Sequence, residues 1–138
     1  MGILTENLSL TDKVVTALNN KAGLIGTIVA LAVILGLIIY AIPVQNWLLL
    51  AISVGALGGL VHEIAQSQGQ YMTPHTDTSG NFVLGGLMGL VNGGIAGLLL
   101  MQSQPTTQNL VPFMIEVFLA GLALKGVNDA VNPPAKTP

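Results

Sequence analysis

The sequence contains no cysteine and no arginine in its 138 residues. Without cysteine there are no disulfides, no thiolate metal ligands and no thiol nucleophile. The only basic side chains besides histidine are Lys13, Lys21, Lys125 and Lys136, and the net charge is −2. Four scattered lysines make no basic patch, so nucleic acid is not expected as a partner. Charged residues are only 7% of the chain, against about 25% in soluble domains. Such a chain cannot cover a water-facing surface with ionised groups. What fills it is apolar: 51% hydrophobic residues, 17 glycines and a mean hydropathy of +0.73. The length fits one domain, and the composition is that of a membrane protein.

Four apolar segments are expected to cross the bilayer, at about 23–42, 47–65, 82–101 and 110–127. The first, GLIGTIVALAVILGLIIYAI, has about the 20 uncharged residues that a hydrocarbon core of roughly 30 Å requires. No signal-peptide pattern of short apolar core and small-residue cleavage site precedes it. Pro43, Gln45 and Asn46 mark a tight turn into Trp47. That turn puts Tyr40 and Trp47 at one headgroup level, as in an aromatic belt. MQSQPTTQN, 101–109, reads as a short polar loop, and Pro112 falls in the first turn of the last helix, where its missing N–H does little harm. The connection at 66–81 is longer and holds turn formers. The tail at 132–138, NPPAKTP, is expected to be extended.

Residues 1–22 form a polar and amphipathic segment. Leu8, Val15 and Leu18 share a helical face, and Ser9 with Asp12 resembles a cap. A short helix over Leu10–Asn20, lying on the membrane surface, is the expectation. With four spans all four lysines fall on one side, so the positive-inside rule places both termini in the cytoplasm.

The third segment, LGGLMGLVNGGIAGLLL, carries Gly85, Gly89, Gly93 and Gly97 at intervals of four. Interior glycine costs a water-exposed helix roughly 1 kcal/mol relative to alanine. In lipid the backbone keeps its internal hydrogen bonds whatever the side chain, and glycine offers a flat face to a neighbouring helix. The second segment repeats the device with Gly55 and Gly59. Packing between these two faces, with Asn92 bonding across the seam, is expected. The pattern leaves open whether the partner helix belongs to the same chain.

Chemistry has few candidates. Glu116 lies inside the fourth segment, where a carboxylate is costly and by default a functional hypothesis. It reads either as a proton or cation site or as a hydrogen-bonded helix contact, for instance to Asn92. His62, Glu63, His75 and Asp77 are of metal-ligating type, but their spacing matches no ligand motif, and no metal or other cofactor is expected. The turn TDTSGN lacks the alternating carboxylates of a calcium loop. No GxSxG, phosphate loop or pair of intramembrane aspartates is present, so an enzyme is not expected.

Two resemblances follow from these residues. The glycine-striped segment, the polar loop with Gln104–Pro105 and the helix with Glu116 partly resemble the hairpin of rotary ATPase proteolipids. In that family a carboxylate binds the transported ion. The loop here lacks that family's basic residue, and Glu116 stands too early in its helix. The layout LGGLVHEIAQSQGQ, NFVLGGLMGLVNGGIAGLLL and FLAGLALKGVNDAV resembles small four-helix membrane proteins of archaeal and bacterial genomes, viruses and mobile elements. The expected fold is therefore an all-α bundle of four transmembrane helices with a glycine-zipper third helix and a short amphipathic amino-terminal helix. The expected partners are the lipid bilayer and either copies of the chain or other membrane subunits. The expected function is a structural or accessory subunit in a homo-oligomer, a viral membrane layer or a larger complex. Alternatives are a holin-like or ion-conducting pore using Glu116, and an accessory subunit of a membrane enzyme.

Overall fold

The computed structural model describes residues 2–66, 75–76, 80, 82–83, 85–101 and 105–131, with backbone only at 2–12, 15–20, 75–76, 82–83, 107 and 129. Four helices dominate: α1 (Gly2–Val44), α2 (Trp47–Gln66), α3 (Leu87–Leu100) and α4 (Leu110–Val131), with a 3-10 turn at Thr107–Asn109. Between α2 and α3, strands β1 (His75–Thr76) and β2 (Phe82–Val83) pair antiparallel. Three helical stretches are long and apolar enough to cross a membrane: Lys21–Val44, Trp47–Gln66 and Leu110–Asn128.

The architecture differs from the expectation at two places. Instead of a separate surface helix over Leu10–Asn20, one helix of 43 residues runs from Gly2 to Val44. At roughly 1.5 Å per residue that is about 65 Å, twice a hydrocarbon core. No proline precedes Pro43, and Asn19, Asn20 and Gly23 lower helix propensity without breaking the hydrogen-bond ladder. The second difference is α3, which has 14 residues and begins at Leu87 rather than near Phe82. Gly85 adopts φ 53°, a left-handed conformation that suits glycine and interrupts the helix. Phe82 and Val83 upstream are drawn into the strand pair instead.

The α1–α2 connection shows how local sequence sets a sharp reversal. Asn46 N–H donates to the Ala41 carbonyl at 3.0 Å, and Gln45 N–H donates to the Ile42 carbonyl at 3.1 Å. This is a Schellman ending with Gln45, at φ 54°, where glycine is usual. Asn46 then caps α2: Leu49 N–H donates to its Oδ1 at 3.0 Å. Asn46→Ala is expected to cost about 1 kcal/mol, readable as a lower unfolding temperature in detergent micelles.

α2 is the hub, its backbone close to those of α1, α3 and α4, whereas the backbone of α1 comes close only to that of α2 among the described helices. Glycine contacts set the directions. Gly59 meets Gly89, Gly55 meets Gly93, and Gly97 meets Ala51, so α3 runs antiparallel to α2. Gly58 meets Phe118 and Leu122, and Gly126 meets His62, so α4 runs parallel to α2. The core joins Ile34, Ile38 and Ala41 of α1 to Leu50, Ala51, Val54 and Leu60 of α2 and Phe113 and Val117 of α4. Away from that core α1 is bare, with Leu24, Ile25, Ile28 and Val29 more than half exposed.

Candidate functional site: an ion pair beside the glycine seam

The glycines of α2 and α3 face one another within the chain. A Cβ at Gly59 would land on the Gly89 carbonyl oxygen, one at Gly55 on the Gly93 carbonyl, and one at Gly97 on the Ala51 carbonyl. α4 joins the same seam, because a Cβ at Gly121 would land on the Gly55 carbonyl. Backbones at this separation leave no room for any side chain. The gain is dispersion contact along three helices, the driving force for helix association in lipid. Gly85 stands outside this arrangement, in the turn before α3.

The seam ends in a charged cluster. Glu63 lies four residues beyond Gly59, so it continues that stripe by one turn. Lys125 lies four residues beyond Gly121 and does the same on α4. Lys125 Nζ and Glu63 Oε2 stand 3.0 Å apart, with side chains 7% and 16% exposed. Small residues make the space. A Cβ at Gly89 would sit 3.3 Å from the Glu63 Cβ, and one at Gly126 would sit 3.2 Å from the His62 ring. His62, Glu63 and Lys125 therefore form one group where α2 and α4 approach their carboxyl ends and α3 begins.

Burying two charges is costly, and only close pairing offsets the lost hydration. The pair ties α2 to α4 at one register, since a slip by one residue would turn either charge off the seam. Neither side chain was singled out for this role by the sequence pattern. In the sequence Glu63 reads as a metal-ligating residue type outside any ligand motif, and Lys125 as an orientation marker. The available signal was the spacing of four that links each charge to a glycine stripe.

The other candidates are dispersed. Glu116 is exposed on the outer side of α4, beside the exposed Ile115 and Leu119. Asn92 is half-buried, and its Nδ2 has no hydrogen-bond partner, so the Glu116–Asn92 bond is not formed. Ser53, 3% exposed, likewise has no partner for its hydroxyl. His75 lies in β1 with its side chain undescribed, and Asp77 lies outside the described residues. Among the described residues no group of three or more metal-ligating side chains comes together.

No protein-family model, curated protein or solved structure matches the chain.

Proposed function

We propose that this chain is a small integral-membrane structural or accessory subunit, built to present apolar helix faces to other membrane-embedded chains. The observation that carries the reading is the division of labour between helices. A glycine seam and a buried ion pair knit α2, α3 and α4 together, while α1 is held along one edge and left largely uncovered. On this reading α3 is a fourth, shorter crossing. Its 14 residues reach about 21 Å, and it packs against both α2 and α4, which also contact each other directly. Because the seam is spent inside one chain, assembly uses the remaining outer faces.

A pore within a single chain has less support, because Glu116 faces outward. Membrane orientation rests on Lys13, Lys21 and Lys136, since Lys125 is occupied by Glu63. These lysines place the amino terminus and the end carrying Glu63 and Lys125 on the cytoplasmic side. The test is alkaline extraction followed by native mass spectrometry of the protein released gently from its membrane. The chain is expected to stay in the membrane pellet and to appear in a defined assembly of two or more chains. Release at high pH, or a bare monomer, would overturn the reading.

A further inference from the structure

Within the three candidate spans, most of the surface is apolar. Apart from the terminal Lys21 and Gln66, only two polar side chains among the described residues of these spans are exposed: Tyr40 on α1 and Glu116 on α4. Tyr40 is 59% exposed. One carries a hydroxyl donor and the other a carboxylate acceptor.

They also stand at the same level of the bundle. An apolar groove of about 370 Å³ runs between α1 and α4, with Ile38 on one wall, Val111, Ile115 and Leu119 on the other, and Val54 and Leu57 of α2 as its floor. Ile38 thus lies opposite a wall centred on Ile115. Tyr40 is two residues from Ile38, and Glu116 is next to Ile115. Their levels agree within about one helical turn, roughly 5.4 Å.

Inside one chain the backbones of α1 and α4 do not approach closely, and the groove separates the two helices. Tyr40, two residues on from Ile38, is turned about 200° from the groove at roughly 3.6 residues per turn. Nor does any lysine of the described chain suit Glu116. Lys125 is held by Glu63, and Lys13 and Lys21 are at the far end of α1, at least about 28 Å along the helix from Tyr40. Copies inserted in one membrane with one orientation keep their levels matched. A neighbouring copy therefore offers Tyr40 at the depth where Glu116 lacks a donor.

We propose that the chain self-associates through the outer face of α4 on one copy and the outer face of α1 on the next, with the Tyr40 hydroxyl donating to the Glu116 carboxylate across the contact. The inference rests on the membrane-subunit reading and names a second copy as the partner. Glu116 is then an assembly residue, its cost in lipid offset by a bond that only the oligomer supplies.

The absence of cysteine makes the test direct. Gly36 lies one turn before Tyr40 on the same face, and a Cβ there meets nothing within 4 Å. Leu119 lies one turn after Glu116 and is 55% exposed. The variant carrying both Gly36→Cys and Leu119→Cys is oxidised in its native membrane and run without reductant. Cross-linked species of two or more chains are expected, well above either single variant. Adding Tyr40→Phe is expected to lower that yield about threefold to tenfold, the range for an interhelical hydrogen bond in a membrane. A product confined to monomer, an equal yield from Gly36→Cys alone, or a yield indifferent to Tyr40→Phe would overturn the proposal. Alkaline extraction of the same membranes reads the subunit proposal separately, so failure of the contact is not confused with failure of membrane insertion.

Discussion

Glu63→Gln is expected to destabilise the fold by about 3–5 kcal/mol, because it leaves the Lys125 ammonium buried without this carboxylate. The pair is 3.0 Å apart and both side chains are largely shielded. Removing one charge therefore keeps the desolvation cost of the other and loses the attraction that offset it. Lys125→Met is expected to cost a similar amount for the mirrored reason. The combined variant Glu63→Leu with Lys125→Met should recover most of the loss, since well-packed apolar replacements of buried ion pairs are often neutral or better. The readout is reversible unfolding in mixed micelles. A double variant as unstable as the sum of the singles would mean that the two residues act independently.

The second large effect is expected along the seam. Gly59→Leu and Gly93→Leu each place a side chain where the facing helix has its backbone. Overpacking a core commonly costs 1–3 kcal/mol, roughly, and sometimes more. Here the obstacle is a carbonyl that cannot rotate away, so α2 and α3 must separate, and a loss above about 3 kcal/mol is expected. Gly36→Leu is the control, because the space around its Cβ position is open. Its effect should stay within about 1 kcal/mol. Equal effects at Gly36 and Gly59 in the same micelles would contradict the seam.

Parts of this fold were legible in the residues and parts were not, for physical reasons. Apolar length alone located the stretches that are able to cross a membrane, because lipid admits few alternatives to a helix of about 20 apolar residues. The turn at Gln45 and Asn46 was also readable, since each residue has a local job there, whereas Pro43 lies inside the last turn of α1. The glycine spacing pointed to close helix packing but could not name the partner, because spacing is a property of one helix and partnership a property of two. The long α1 was missed because polar residues at 19–21 weaken a helix without ending it. Gly85 was assigned to the stripe because a spacing of four cannot tell a helical glycine from one in a left-handed turn. The Glu63–Lys125 pair joins positions far apart in sequence, and only the relative direction of α2 and α4 brings them together.

The glycine contacts pack α2 and α3 against each other inside one chain. Ile52 and Gly94 test it most directly, because a Cβ at Gly94 would sit 3.5 Å from the Ile52 Cγ2. The measurement is oxidation of the variant carrying Ile52→Cys and Gly94→Cys, in membranes that also contain a size-tagged copy with the same two changes. A disulfide within each chain is expected: both species keep monomer mass, and no tagged–untagged product forms. A product joining the tagged and untagged chains would place the seam between molecules and contradict it.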